Sequence, residues 1–75
     1  MRRTAAERIK LARLSAGLTQ QKLADAISNL GDGETIARTS ISQWETGETK
    51  EISAANLFKA AKVLGVSMEW ILYGK

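Results

Sequence analysis

The 75-residue chain contains no cysteine, no histidine and no proline, and only 5% of its residues are aromatic. Without cysteine it has neither a disulfide framework nor a thiolate metal site, and without histidine it lacks the commonest general base. These absences disfavour an enzyme, and we expect no catalytic residues, no metal site and no cofactor. The lack of proline and the scarcity of aromatic residues favour helices over strands.

Long apolar segments are missing as well. The basic start, Met-Arg-Arg-Thr, is not followed by the apolar stretch of a secretory signal, and no segment approaches the ~20 apolar residues of a membrane span. We therefore expect a cytoplasmic protein with no membrane partner. Because 75 residues are near the lower limit for a self-sufficient core, we expect one domain over residues 1–75.

Charge is distributed unevenly along the chain, whose formal net charge is +3. Residues 1–17 carry five basic residues against one glutamate, a charge of +4, whereas residues 18–51 carry three basic against six acidic residues, a charge of −3. If a polyanion binds, the first helix and the N-terminal arm should supply much of the attraction. The alternative is an ordinary solvated basic helix face.

Capping residues and glycines predict five helices. Thr4 and Glu7 form a capping box, Thr19 precedes the second helix, and Thr35 is an acceptable N-cap for the third. Ser53 and Ser67 occupy the same position before the last two helices. The predicted helices span about residues 4–16, 20–29, 36–45, 54–64 and 68–73.

Apolar spacing predicts which faces point inward. We expect the second and third helices to bury one face each against their neighbours. The residues expected to point inward on helices 1, 3 and 4 are Ile9, Ala12, Leu14, Ala16, Ile36, Ile41, Trp44, Leu57, Phe58, Ala61 and Leu64.

The segment from Thr19 to Gly47 reads as two short helices joined by a turn. On the third helix, the surface opposite the apolar residues is short and polar. A half-buried helix with such a free face, held against a second helix, suits reading of the DNA major groove. Polar residues are, however, also the default on any exposed helix face. The residues of this free face are Arg38, Thr39, Ser42 and Gln43.

Three ordered motifs resemble the Cro/repressor-type helix-turn-helix family, which includes the lambdoid phage repressors and many bacterial relatives. The motifs are GLTQQKLA at residues 17–24, ISQWETG at 41–47 and LGVSMEWILYG at 64–74, so the resemblance covers nearly the whole chain. It implies an all-α, compact five-helix bundle of the lambda-repressor-like DNA-binding type, with the helix-turn-helix at helices 2 and 3. The implied function is sequence-specific binding of double-stranded DNA by a phage or prophage repressor or Cro-like transcriptional regulator.

By the same resemblance, the polar face of helix 3 contacts bases. Arg38 could bind guanine O6 and N7, Gln43 could bind adenine N6 and N7, and the Thr39 methyl could meet a thymine methyl. The resemblance also implies a structural ion pair between Arg13 and Glu45. The resemblance implies a phosphate contact at Gln20, in the first turn of helix 2, and Gln21 beside it is grouped with it. Thr46, Thr49 and Lys50 are phosphate candidates by their position after helix 3. Arg2 and Arg3 are candidates as an N-terminal arm, and the alternative is that they are disordered.

A single module of this size makes few base contacts, so we expect a homodimer on a palindromic operator with half-sites ~34 Å apart. Helix 5 is the expected dimer interface, through Trp70 and Tyr73, although Trp70 could equally belong to the core. No small-molecule substrate is evident, and the expected location is a bacterial cell or a phage-infected host.

The chain departs from the family at the turn, which is longer than the usual ~3–4 residues. Either this insertion bulges outward or it displaces the start of helix 3. Ala37 stands where relatives often place a hydroxyl cap, and Thr35 could replace it. The alternative function is a protein-interaction module on the same scaffold, such as an antitoxin or adaptor.

Overall fold

The computed structural model describes residues 3–30, 34–49 and 51–75, and these ranges contain five α-helices. The predicted all-α class and the number of helices are confirmed. Two of the predicted DNA contacts, Arg2 and Lys50, lie outside the described residues. The helices are α1 (Ala5–Ser15), α2 (Gln20–Ser28), α3 (Arg38–Thr46), α4 (Ala54–Leu64) and α5 (Met68–Tyr73).

Four of the helices begin at a hydroxyl residue, as predicted. The Thr4 hydroxyl accepts a hydrogen bond from the Glu7 amide at 3.1 Å, and the Glu7 carboxylate accepts one from the Thr4 amide at 3.2 Å, which completes the capping box. Thr19, Ser53 and Ser67 each accept a bond from the amide three residues later. These local bonds satisfy amides that the helices leave without a partner.

The core lies between α1, α2, α3 and the two C-terminal helices. Helix α3 packs on α1 and α2, α2 also packs on α4, and α5 contacts α1 and α4. This arrangement holds α3 by one face only, because its opposite face has no helix against it in the described fold. The largest fully buried side chains are Ile9, Leu23, Ile27, Ile41 and Ile71.

Three expected core positions are wrong. Leu14 and Phe58 are both 57% exposed, and Ala16 is exposed as well. On α4 the inward face follows Leu57, Ala60, Ala61 and Leu64, and Phe58 falls beside that stripe. On α1, Arg8 and Arg13 are buried, although the apolar pattern does not predict that either points inward.

The start of α3 is also later than predicted. Thr35 does not cap the helix, which begins at Arg38 and ends at Thr46 rather than spanning 36–45. Residues 34–37 are not helical, and Ala37 is the N-cap with extended backbone angles of φ −85° and ψ 155°. The connection from α2 to α3 therefore contains nine residues, 29–37.

Among the described residues, no helix is both long enough and apolar enough to cross a membrane.

Candidate nucleic-acid interface

The outward face of α3 carries the four predicted base-contacting residues. Arg38, Thr39 and Gln43 are exposed and Ser42 is half-buried, whereas Ile41 on the opposite face is completely buried. Trp44 is also buried, as predicted for a core residue. The first two turns of α3 therefore present a guanidinium, two hydroxyls and a carboxamide on one continuous surface. Such a set can donate to and accept from base edges.

A hollow of about 610 Å³ brings the start of α3 beside the start of α2. Arg38 lines it together with the predicted phosphate contacts Gln20 and Gln21. One predicted base-contacting residue and two predicted phosphate contacts thus share one surface. The complete lining is Arg13, Leu14, Gly17, Leu18, Thr19, Gln20, Gln21 and Arg38.

Gln20 and Gln21 donate to different carboxylates. Gln20 is half-buried and its Nε2 donates to Glu45 Oε1 at 3.2 Å, while Gln21 is exposed and its Nε2 donates to Asp25 Oδ1 at 2.9 Å. A carboxamide nitrogen carries two hydrogens, so each side chain keeps a second donor for another acceptor. Both residues lie in the first turn of α2, where the positive helix end favours a phosphate.

Arg13 and Glu45 form the ion pair that the resemblance implies. Arg13 Nε lies 2.6 Å and Nη2 2.9 Å from the two Glu45 carboxylate oxygens, and Nη1 donates to the Leu18 carbonyl at 2.9 Å. The side chains are 9% and 3% exposed. Through Arg13, Glu45 and Gln20, this network joins α1, α3 and the start of α2.

The Arg13 guanidinium is held in its charged form. Its pKa is raised above the ordinary arginine value, mainly by the hydrogen bond to Glu45, although burial acts in the opposite direction. A raised pKa in the folded state adds stability below the ordinary arginine pKa, and this is lost only as the pH rises through the folded value. The contribution of Arg13 to stability is therefore present throughout the neutral range.

Thr46 and Thr49 lie on a different hollow. Thr46 is the last residue of α3, and Gly47 follows it in the left-handed conformation, φ +81°, which ends the helix. The Thr49 amide donates to the Gln43 carbonyl at 3.3 Å. Both threonines line a groove of about 630 Å³ together with the starting turn of α1, whereas Gln20 and Gln21 do not. Glu45, which accepts the hydrogen bond from Gln20, lines this groove as well.

Sequence reasoning missed the role of Arg8, which it counted among the basic residues of helix 1 that would attract a polyanion or form a solvated face. Its side chain is buried, with Nε donating to the Ile71 carbonyl at 2.7 Å and Nη2 to the Leu72 carbonyl at 2.9 Å. Nη1 donates to the backbone carbonyl of Arg3, which is itself an exposed residue. Arg8 stands one turn from the inward Ala5 and Ala12, and that spacing could have indicated its burial.

The predicted dimer contacts on α5 differ in exposure. Tyr73 is 64% exposed and its neighbour Leu72 is 43% exposed, whereas Trp70 is half-buried and packs against the core. Tyr73 therefore offers a free aromatic surface, and Trp70 shares its surface between the core and solvent.

Among the residues that the structure describes, no group of histidine, cysteine or carboxylate side chains could hold a metal ion.

Comparison with protein families matches residues 9–71 to a family described as helix-turn-helix. The chain belongs to that family. The Cro/repressor-type resemblance seen in the sequence is confirmed by this match and by the relatives. The HTH-type transcriptional regulator DicA of Escherichia coli (strain K12) is 41% identical over 71 residues, which cover 95% of this chain and 47% of DicA. The chain thus spans about half the length of this curated relative.

Two solved structures of DNA complexes share the helix-turn-helix fold. The P22 c2 repressor, in complex with synthetic operator 9T, superposes with a TM-score of 0.83 at 27% identity, covering 99% of this chain and all of that one. SinR, a master regulator for biofilm formation in complex with DNA, gives a TM-score of 0.78 at 25% identity, covering 91% of this chain and 97% of that one. The lambda-repressor-like architecture predicted from the sequence is confirmed.

Proposed function

We propose that this chain is a sequence-specific DNA-binding transcriptional regulator of the repressor type, which acts by binding and without a catalytic step. The observation that carries this proposal is the polar outward face of α3, which stands free of other helices beside the starting turn of α2. The relatives named as a transcriptional regulator and as repressors or regulators in complex with DNA support it.

Helix α3 would lie in the major groove and read bases with its first two turns. Arg38 is suited to bidentate bonds with guanine, Gln43 to bidentate bonds with adenine, and the Thr39 methyl to contact with a thymine methyl. Each good bidentate pair would supply about 1–3 kcal/mol of discrimination against the wrong base. Ser42 could donate to or accept from either partner of a base pair.

The phosphate backbone would be held by residues at both sides of α3. Gln20 and Gln21 would use their remaining amide hydrogens at the positive end of α2. Thr46 and Thr49 would contact the backbone from the C-terminal end of α3 and the loop that follows it. We include Lys50, Arg2 and Arg3 as cationic phosphate contacts, Lys50 because it follows α3 in the sequence and the two arginines because they form a basic N-terminal arm.

We further propose that two copies bind a palindromic operator in the bacterial cytoplasm or an infected host cell. Residues 1–75 would act as one DNA-binding domain, with the exposed Tyr73 and the outer part of Trp70 on the dimer surface. Helix α5 is the proposed dimer surface because its adjacent residues Leu72 and Tyr73 are both exposed. Two-fold symmetry would place the half-sites about one helical turn apart, ~34 Å.

Selection of binding sites from random duplex DNA, at low and near-physiological salt, tests this proposal. We expect a palindromic sequence whose half-sites are one turn apart, and an affinity that falls steeply with salt. Weak, salt-sensitive binding without any enriched sequence would contradict sequence-specific recognition. Binding to an apolar protein partner that is insensitive to salt, with no DNA binding, would favour the interaction-module alternative.

Gln43→Ala sharpens the test at one base pair. We expect it to relax the preference at a single operator position by about 1–3 kcal/mol while leaving the unfolding free energy within about 0.5 kcal/mol of the wild-type value, because Gln43 is exposed. Competition between operators that differ at one position measures the preference. Uniform weakening on every sequence would show that Gln43 does not read a base.

A further inference from the structure

A hydroxyl group of α2 contacts the far end of the long connection between α2 and α3. Ser28, the last residue of α2, accepts a hydrogen bond from the Ile36 amide at 2.8 Å and donates one to the Ala24 carbonyl at 2.8 Å. Ser28 and Ile36 are both half-buried. The hydroxyl thus joins the backbone of α2 to a residue eight positions along the chain, just before α3 begins.

Helix α3 begins without a side-chain hydrogen bond at its N-cap. Its N-cap is Ala37, which provides no side-chain hydrogen bond, whereas the other four helices each begin with a threonine or serine that caps the first turn. The first turn of α3 is closed by a bond from the Ser40 amide to the Ala37 carbonyl at 3.0 Å. The local sequence therefore does little to fix where α3 starts or how its first turn is oriented.

We propose that Ser28 is a positioning residue for base reading, and this inference rests on the proposed function. By holding Ile36, the Ser28 hydroxyl fixes the chain one residue before the cap and two residues before Arg38. The ion pair of Lys59 with Glu34 also contacts the connection, but from α4 rather than α2, and its nitrogen and oxygen are 4.0 Å apart.

Precise placement matters most for the first turn of α3. A bidentate contact to a base requires the side chain to be held within about 0.5 Å and 10–20° of the productive geometry. Arg38 is the first residue of α3 and Thr39 the second, so both follow any movement of the cap. Gln43 lies in the second turn, which the buried Ile41 and Trp44 hold against the core. Loss of the Ser28 bond should therefore affect Arg38 and Thr39 more than Gln43.

Three variants separate this role from simple stability. Ser28→Ala removes the hydroxyl, and Ser28→Thr keeps it in a residue that can also bond a carbonyl one turn back in a helix. Ala37→Ser, combined with Ser28→Ala, provides a local cap instead. The Ala37 backbone, φ −85° and ψ 155°, already has the extended conformation of the serine cap at Ser67, φ −84° and ψ 153°.

The experiment compares each variant on the selected operator, on operators altered at single base pairs, and on non-specific duplex DNA. For Ser28→Ala we expect discrimination at the base pairs read by Arg38 and Thr39 to fall roughly 5- to 30-fold. Discrimination at the pair read by Gln43 and non-specific affinity should change less than about twofold. Ser28→Thr should keep the wild-type preference, and Ala37→Ser should restore most of what Ser28→Ala loses.

Uniform weakening of Ser28→Ala on all duplexes, or unchanged discrimination, would overturn the proposal while leaving the proposed function intact. The same holds if Ala37→Ser restores the melting temperature but not the base preference. A wild-type protein without any sequence preference would instead contradict the proposed function, and the reading role of Ser28 with it.

Amide hydrogen exchange provides a readout that needs no DNA. In Ser28→Ala, the amides of Ile36 and Ser40 should exchange at least about fivefold faster, while Leu23 in α2, which bonds to the Thr19 carbonyl, should keep its protection. Unchanged exchange at Ile36 and Ser40 would show that Ser28 does not fix the start of α3. Equal acceleration at Leu23 would show that the variant loosens the whole domain instead.

Discussion

Helix α1 carries a buried arginine near each end, and the two are satisfied in different ways. Arg13, near the C-terminal end, makes two bonds to the carboxylate of Glu45 and one to a backbone carbonyl. Arg8, in the first half of the helix, makes all three of its described bonds to backbone carbonyls, two of them in the last turn of α5. One arginine neutralises a charge, and the other caps a helix end.

This difference separates two reasons for burying an arginine. A buried carboxylate needs a counter-charge, so Arg13 and Glu45 depend on one another. The carbonyls at the end of α5 need a donor, and a cation there also interacts favourably with the negative end of the helix. Loss of Arg13 would leave a charged carboxylate whose side chain is 3% exposed, whereas loss of Arg8 would leave neutral carbonyls. The Arg13 end of α1 should therefore be the more sensitive of the two.

Arg13→Met should have the largest effect on stability. It leaves Glu45, whose side chain is 3% exposed, without its counter-charge, and we expect a loss of about 3–5 kcal/mol in unfolding free energy. Urea unfolding at low temperature measures this loss. The double variant Arg13→Met with Glu45→Gln should recover part of it, because the buried charge is removed. No recovery in the double variant would contradict charge compensation as the reason for burying Arg13.

Arg8→Met should cost less, about 2–3 kcal/mol, because it removes charged hydrogen bonds without leaving a buried charge. The loss should be concentrated in α5, whose amides should exchange faster than those of α2. Urea unfolding together with residue-resolved exchange distinguishes the two effects. If Arg8→Met destabilises the protein as much as Arg13→Met does, unpaired neutral carbonyls cost as much here as an unpaired carboxylate, and the comparison fails.

Arg13→Lys should cost about 1–2 kcal/mol. Lysine keeps the positive charge for Glu45 but cannot reproduce the planar fork that also reaches the Leu18 carbonyl. The difference in unfolding free energy between Arg13→Lys and Arg13→Met therefore measures how much of the pair is charge and how much is geometry. Equal losses in the two variants would assign the whole effect to geometry.

Lys10→Ala should have the smallest effect. Lys10 belongs to the same helix and the same basic segment, but it is exposed. We expect its removal to change the unfolding free energy by less than about 0.5 kcal/mol, since exposed positions away from special contacts are tolerant. The same urea titration provides the measurement. A loss above 1 kcal/mol would mean that charge in this segment stabilises the fold regardless of burial.

Local signals in the sequence were sufficient for most of the fold. The capping box at Thr4 and the hydroxyl at Thr19 fixed the first two helix starts, because a cap depends on residues only three positions apart. The start of α3 could not be predicted in this way. It depends on a bond between Ser28 and Ile36 across the long connection, and the more obvious cap, Thr35, lies before the chain becomes helical.

The site was predictable to a similar extent. The exposed polar face of α3 followed from helical spacing, since the buried Ile41 and Trp44 determine which side remains free. The Arg13–Glu45 pair was inferred from family resemblance, as no local pattern joins residues on separate helices. The spacing of Arg8 from the inward Ala5 and Ala12 could have indicated its burial, but its partners could not be predicted, because they are backbone carbonyls that no side-chain pattern reveals.

The bonds of Arg8 also have a topological consequence. One guanidinium contacts the carbonyl of Arg3 and the carbonyls of Ile71 and Leu72, so points 68 and 69 residues apart along the chain lie on either side of a single planar group. The path of the backbone is therefore nearly a closed ring. A short peptide bridge between these points would close the backbone into a cyclic protein. The same bridge would join the two ends in a circular permutant, and the Arg8 guanidinium would lie beside it.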